Sequence, residues 1–376
     1  MKALLLIFHG FDPSNGISQK IQYQLKALKD CGLDAHICYL KEDVYSKRRM
    51  VDDNVIADYG LGFLSKIKKR IEYISVAKYV IDNDIKFVYM RSDHNASFFL
   101  VNAIKMMRRH GVKVVMEIPT YPYDVEYIEW AMKKRLIQDI IFRRKLASHL
   151  NAIITFTEEK RIFGQKTICI SNGVDFNSIS QKQSINDTSE ELHLIGVAEI
   201  HIWHGFDRVL TGLASYYSQN PTYKVYFHIV GYFYSITEKE TILSLIEKLG
   251  ISKYAILHGK QHDTDLNSIF ESCDFGIGSL GRHRVGITSI KTLKNREYAA
   301  RGIPFIYSES DSDFDDKSYV LKAPADESPI DIMSIVNFYR SLTISPSEIR
   351  NSIKELSWKN QMQKILDKIF NDSREK

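Results

Sequence analysis

The chain has 376 residues, 44% of them hydrophobic and 26% charged, the balance of a soluble globular protein and more than one core comfortably holds, so two domains are expected. No uninterrupted apolar run approaches the roughly 18 to 20 residues of a membrane span, and Cys31, Cys38, Cys169 and Cys273 show neither a CxxC pair nor ligand spacing, which speaks for reduced thiols in the cytoplasm rather than disulfides or zinc. The net charge of +5 is uneven: residues 1–180 hold 28 Lys and Arg against 20 Asp and Glu, and the rest hold 23 against 26.

The chain opens on Ala3 to Phe8, an apolar stretch too short for a leader and followed by no small-residue cleavage site, so it reads as a buried first strand. The loop His9 to Gly16 leads into a helix near Ser18 to Asp30. Strands are expected at Ala35 to Leu40, Phe87 to Arg91, Val112 to Ile118 and Ala152 to Phe156, with helices at Leu64 to Asn83, Ala96 to Arg109 and Glu129 to Leu150. Near-continuous apolar runs such as Val112 to Met116 suit a parallel sheet covered on both faces.

Basic clusters stud this half, among them Lys47 to Arg49, Lys66 to Arg70 and Lys133 to Arg135. Nucleic acid is not the expected partner, because no nucleic-acid motif is present and acids interrupt the basic residues throughout. Within Trp130 to Leu150, Ile137, Ile140, Ile141 and Leu146 fall near helical spacing beside basic residues, a pattern that suits the surface of an anionic bilayer as well as a helix packed on its own sheet.

A polar stretch, Gln181 to Glu191, reads as a linker, and the alternation then repeats. Strands are expected at Leu192 to Ala198, Lys224 to Val230, Ala255 to Leu257 and Phe275 to Gly278, and helices at Phe206 to Tyr217, Thr237 to Leu249 and Asp265 to Ser272. Next come a short helix carrying Lys294, Arg296 and Glu297, a stop at Gly302, and a strand at Pro304 to Tyr307. Late helices are expected at Pro329 to Ser341, with Ser328 as cap, and at Ser347 to Leu356.

Three strand-to-helix turns carry binding chemistry. Asp12 to Ser18 opens the first helix, where N–H groups favour an anion; Gly16 permits close approach and Lys20 lies a turn in, while the absence of GxGxxG excludes a dinucleotide fingerprint. In the second half, Trp203, His204, Gly205 and Arg208 occupy the matching turn, and Gly231 ends the next strand. Lys294 and Glu297 then supply a cation for phosphate and a carboxylate for ribose hydroxyls, at the mouth where open parallel sheets bind ligands. No carboxylate pair or DxD-like cluster marks these loops, so no metal is required, and no cofactor beyond a nucleotide-sugar substrate is expected. In the first half, Glu117, Tyr121, Tyr123 and Asp124 leave the strand at Val112 and either offer carboxylates and aromatic platforms for a sugar acceptor or form a structural loop whose tyrosines cover the core.

Taken in order, HGFDPSNGISQKIQYQLKAL, ISNGVDF, GVAEIHIWHGFDRVL, HIVGYF and GRHRVGITSIKTLKNREYAARGIPFI resemble the retaining glycosyltransferases of the GT-B fold, family 4, over nearly the whole chain. The resemblance implies two doubly wound Rossmann-like α/β domains facing across a cleft, residues 1–180 for the acceptor and 181–357 for the donor, with a C-terminal helix from Trp358 crossing back onto the first. It implies that Asn172 to Asp175 closes the first domain and that Glu297 holds the ribose of a UDP- or GDP-linked sugar; with the cation of Lys294 beside it, Lys294 and Glu297 are the candidate catalytic residues. Where the family often carries a glutamate this chain has Ser289, and Glu199 and His204 stand where an arginine and a lysine are usual; Arg282, His283, Arg284 or Lys294 are the candidate replacements for the missing cations. The function expected is transfer of a sugar to a glycan or lipid-linked acceptor in bacterial surface polysaccharide synthesis, in the cytoplasm or at the inner face of the membrane. Two other readings stay open: a noncatalytic nucleotide-sugar-binding or partner subunit, and a nucleotide-sugar epimerase on the same frame.

Overall fold

A computed structural model describes residues 1–11, 16–124, 130–183, 190–261 and 263–371. The chain divides into two compact units, one of Met1–Ser171 with the C-terminal stretch from Trp358, the other of Asn172–Ser357. The division falls at Ser171 and Asn172 rather than at residue 180, because the segment after Ser171 is tied into the second unit. Asn172 Nδ2 donates to the Lys291 carbonyl at 2.6 Å, and Val174 bridges to Ser357.

The first unit runs β1 (Lys2–Leu6), α1 (Gly16–Asp30), β2 (Asp34–Glu42), β3 (Lys47–Val51), β4 (Asn54–Asp58), α2 (Gly62–Ile71), α3 (Ile74–Asp82), β5 (Phe87–Arg91), α4 (Phe98–Arg109), β6 (Lys113–Ile118), α5 (Trp130–Ala147), β7 (Ala152–Thr155), β8 (Arg161–Ile162) and β9 (Gln165–Cys169). Its sheet has the order β4-β3-β2-β1-β5-β6-β7-β9-β8, parallel from β2 to β9, with β3, β4 and β8 joined antiparallel. The central strands are buried on both faces. Leu4, Leu6 and Val88 pack under α3, α4 and α5, and Leu5, Phe87 and Ile154 pack under α1.

Besides β4, β8 and β9, where no strand is expected from the sequence, two local outcomes differ from the sequence expectation. The helix expected over Leu64 to Asn83 is two helices, because Glu72 is extended and its carboxylate accepts from Ser75 N at 2.9 Å, starting a new helix while Tyr73 enters the core. The basic run Lys47 to Arg49 is not a solvated cluster but the strand β3. Arg49 is buried and donates to the Ile7 carbonyl at 3.1 Å, while Lys47 and Arg48 pair with Glu42 and Asp43.

The second unit runs β10 (Glu191–Ile200), α6 (Phe206–Tyr217), β11 (Lys224–Phe233), α7 (Ile236–Lys248), β12 (Ala255–Gly259), α8 (Asp263–Ser272), β13 (Phe275–Ile277), α9 (Leu293–Arg301), β14 (Phe305–Tyr307), β15 (Val320–Lys322), α10 (Ile332–Ser341) and α11 (Pro346–Asn351). Its sheet is parallel throughout, in the order β12-β11-β10-β13-β14-β15. Helices α6, α7 and α10 cover one face, and α8, α9 and α11 the other. The chain winds outward from β10 through β11 and β12, then returns to β13 on the other side of β10. The carboxyl ends of β10 and β13 therefore flank a topological switch point, the position at which open α/β sheets bind ligands.

The late helix begins at Ile332 rather than Pro329, because Asp331, not Ser328, accepts from the Ser334 N–H at 3.1 Å. Helix α11 starts one residue earlier than expected, capped by the reciprocal Ser345–Glu348 pair, and stops at Asn351. Helix α12 (Trp358–Phe370) belongs to the first unit, where Met362, Ile365 and Ile369 join Ile21 and Leu28 of α1 in one core. Among the described residues no helix is long and apolar enough to cross a membrane.

Candidate functional site

At the switch point of the second unit four backbone segments are tied together. Leu280 N donates to the His204 carbonyl (3.1 Å) and Gly281 N to the Trp203 carbonyl (3.2 Å), joining the turn after β10 to the turn after β13. Ser308 N donates to the Ser279 carbonyl (3.0 Å), joining β13 to the exit of β14. Ser310 N donates to the Thr288 carbonyl (2.7 Å), joining that exit to the segment before α9. Gly205 allows this closeness: its φ is 66°, and a Cβ there would lie 2.8 Å from the Leu280 backbone. Thr292 caps α9 by accepting from Asn295 N, which leaves the first-turn N–H groups of α9 at the same end of the sheet.

Into this region come buried polar atoms without hydrogen-bond partners: Ser279 Oγ, Lys294 Nζ, Asn295 Oδ1 and both carboxylate oxygens of Glu309. Lys294 as a residue is half-buried, but its Nζ is the buried end, 5.9 Å from the Phe206 ring centroid. Burial, reinforced by the Arg282 charge, pulls its pKa down to about 7. Glu309 is 2% exposed, and burial pushes its pKa up to about 7 against the opposing pull of Arg282, Lys322 and Lys294. Buried groups of this kind are nearly always hydrogen-bonded, and leaving one unpaired costs about 1–3 kcal/mol. Several such groups lie together at this one switch point, the carboxyl end of the sheet where open α/β folds bind ligands.

The neighbouring candidates are placed as follows. Trp203 lies in a 3-10 turn, Ile202–His204, stacked on His201 at 4.0 Å with the Arg282 guanidinium 5.6 Å from its ring. His204 is buried, and desolvation with the charges of Lys294 and Arg282 keeps it neutral far below its usual range. Its Nδ1 accepts from the His201 N–H at 3.0 Å, so the ring proton sits on Nε2 as a donor. Ser289 is exposed and bridges to Ser310, one residue from Glu309. Glu297 is half-buried and binds the Arg301 guanidinium through Oε1 at 2.9 and 3.1 Å. Arg296, read as part of a charged helix face, is buried and paired with Asp311 and Asp313.

Other candidates have structural tasks. Arg208 is 2% exposed, and its guanidinium donates to the carbonyls of Ser328, Leu280 and Pro324, so it holds these loops together. Arg284 is committed to Asp207 (2.7 and 2.9 Å), Glu327 and the Ile202 carbonyl (2.7 Å), so it ties α6 to the following loops and is not a free phosphate cation. Gly231 meets another chain segment rather than a ligand, since a Cβ there would lie 1.7 Å from the Ala198 carbonyl oxygen.

In the first unit, Gly16 opens α1, and residues 12–15 of its loop lie outside the described residues. Lys20, expected near a diphosphate, is buried against Glu117 at 3.2 Å with its Nζ 4.1 Å from the Phe156 ring. Glu117, expected to face a sugar, is fully buried and accepts from Lys20, Arg91, Gln24 (2.6 Å) and Tyr89 (2.5 Å). Burial alone would raise its pKa; Lys20 and Arg91, with the Tyr89 and Gln24 bonds, outweigh that and hold it at about 2. Tyr123 is buried too, donating to Asp139 at 2.6 Å and stacked on His94 at 3.8 Å. Tyr121 is half-buried against Phe163, and Asp124 is exposed in a fork with Arg143 at 2.6 and 3.1 Å. Of the four acceptor candidates, Tyr121 and Asp124 are thus the two accessible to a ligand.

Glu309 was not among the sequence candidates. The signal for it was present: a carboxylate two residues beyond β14, at the carboxyl end of a parallel strand. Among the described residues no group of three or more His, Cys, Asp and Glu side chains is placed to hold a metal ion.

No family model matches the chain, and no curated protein matches it in sequence. Solved structures do match in fold over nearly its whole length. Sucrose-phosphate synthase from Thermosynechococcus elongatus superposes with a TM-score of 0.68 at 12% identity, covering 99% of each chain. Starch synthase IV from Arabidopsis thaliana, bound to ADP and acarbose, gives 0.65 at 10% identity over 100% of this chain and 99% of its own. Anabaena HepE in complex with UDP gives 0.61 at 14% identity over 99% and 100%. The fold is GT-B, two Rossmann-like α/β domains in one chain.

Proposed function

We propose that the chain is a glycosyltransferase that moves a sugar from a nucleotide-sugar to a glycan or lipid-linked acceptor with retention of anomeric configuration and without a metal. The observation that carries this reading is the unpartnered Lys294 Nζ and Glu309 carboxylate, buried together at the switch point of the second unit. The HepE structure with UDP supports a uridine nucleotide as the first donor base to try.

In this reading the donor diphosphate takes the first-turn N–H groups of α9, the Lys294 ammonium and the Nε2–H of His204. As the bond from the anomeric carbon to the diphosphate oxygen breaks, negative charge grows on that oxygen, and donors already fixed around it stabilise the transition state more than the ground state. Bound phosphate raises the Lys294 pKa, so the cation is present when it is needed. Arg301 uses Oε1 of Glu297, leaving Oε2 for a ribose hydroxyl. Glu309, one residue from the Ser289–Ser310 bridge, supplies the carboxylate that position 289 lacks and takes the hydroxyls of the transferred sugar. Retention and a role in bacterial surface polysaccharide synthesis rest on the sequence resemblance, as does placement at the cytoplasmic face of a membrane. Tyr121 and Asp124 are the acceptor contacts carried forward.

A thermal-shift screen across nucleotide-sugars, followed by a product assay with the best donor, tests the proposal. Stabilisation by one donor with transfer or slow hydrolysis supports it. Binding with neither reaction favours the noncatalytic reading, and conversion of the donor without acceptor favours the epimerase.

A further inference from the structure

Helix α2 is built inside out. At 3.6 residues per turn Phe63, Leu64, Ile67 and Ile71 share one side of it, and that side faces solvent: Phe63 is 74% exposed, Leu64 67% and Ile67 42%. The opposite side carries Ser65, the buried residue of the helix, which donates to the Gly62 carbonyl at 2.8 Å. Leu61 just before it is exposed as well, as are Val44 and Tyr45 in the turn between β2 and β3. That turn is linked to α2 through Glu42, which binds Lys69 of the helix and Lys47 of β3. A surface helix normally turns its apolar stripe to the core, so an outward stripe calls for an occupant.

The charges around the stripe say which. The sequence of α2, GFLSKIKKRI, contains no acid, and Lys66, Lys68 and Arg70 are exposed beside the apolar arc. Of the nearby acids, Glu42 is paired with two lysines and Asp43 with Arg48, which leaves the Glu72 carboxylate, hydrogen-bonded to Ser75, against the three exposed cations of the helix. An exposed apolar arc flanked by an excess of cations matches a bilayer with anionic headgroups, into which such a helix sinks its apolar side while Lys and Arg stay at headgroup level. The geometry points to α2, with the Val44–Tyr45 turn beside it, as the element that docks this chain on an anionic lipid surface. The helix expected for that role from the sequence, α5, also shows Ile137, Ile140 and Ile141 to solvent; the assignment here is that α2 is required.

The test uses the full chain with vesicles of phosphatidylcholine alone and of phosphatidylcholine mixed with phosphatidylglycerol. Binding is expected only to the anionic vesicles, weakening as salt rises. The double variant Phe63→Ser/Ile67→Ser should bind at least about tenfold more weakly, ~1.4 kcal/mol, with an unchanged melting temperature and unchanged nucleotide affinity without lipid. Lys66→Glu/Arg70→Glu, which leaves the apolar arc in place, should weaken binding comparably, while Ile137→Ser/Ile141→Ser should retain most of it. Four results would overturn the inference: no binding of the wild type to anionic vesicles, binding that survives both α2 variants, binding lost only in the α5 variant, or sedimentation showing self-association that the α2 variant abolishes. The inference rests on the membrane placement in the proposed function; none of these results touches donor binding, so it and the transferase reading fail separately.

Discussion

Each unit buries charge near the carboxyl end of its parallel sheet, and the two do so in opposite ways. In the first, Glu117 is surrounded by Lys20, Arg91, Gln24 and Tyr89, so every charge has a partner. In the second, Lys294 and Glu309 are buried without hydrogen-bond partners, and both are pushed toward their neutral forms by burial. A satisfied network holds a fold together, whereas an unsatisfied one costs stability and persists where a ligand completes it. On the function proposed above, the first cluster is structural and the second completes a binding site, and each reading can be broken.

The largest effect belongs to Glu117. Glu117→Leu strands Lys20 and Arg91 as buried cations and should destabilise the first unit by about 3–5 kcal/mol in urea unfolding; a loss under about 1 kcal/mol would mean the network is not structural. Because its folded pKa is depressed to about 2, the stability Glu117 contributes is present above the unfolded value and is lost as pH falls from there toward 2.

Lys294→Met should do the reverse in the second unit. It removes a buried unpaired cation, so the free protein should melt higher by the equivalent of about 1–3 kcal/mol, while affinity for a uridine diphosphate sugar falls about 10- to 100-fold. A variant that loses stability and keeps its affinity would place Lys294 with the structural charges.

A smaller effect separates the two orphaned groups by pH. The raised pKa of Glu309 means that stability is lost as pH climbs from the unfolded carboxylate value to about 7. The depressed pKa of Lys294 means that stability is lost as pH falls from the unfolded lysine value to about 7. The melting temperature of the free second unit should therefore dip near pH 7, and Glu309→Gln should flatten the acidic side of the dip alone.

Much of this was legible in the sequence, and what was not has a physical reason. Helix α6 and strand β5 lie where apolar periodicity puts them, since both bury a regular pattern. Strand β3 is hidden in the sequence because Lys47, Arg48 and Arg49 stand out as a basic cluster, and only the fold shows Arg49 aimed at the Ile7 carbonyl. The switch-point turns were visible through Trp203, Gly205 and Lys294. Arg208 and Arg284 read as donor contacts, and their bonds to loop carbonyls and carboxylates are a matter of packing that the sequence does not show. Glu309 was passed over because its isolation is a property of packing, which a string of residues does not display.

The account turns on whether an anion binds at Lys294, beside Glu309. Calorimetry of UDP binding just above pH 7, in two buffers of different ionisation enthalpy, measures this directly. Anion binding raises both pKa values from about 7, so the account predicts net proton uptake of up to about one proton, absent in the double variant Lys294→Met/Glu309→Gln. Tight UDP binding with no proton exchange, or with the same exchange in the double variant, would contradict it.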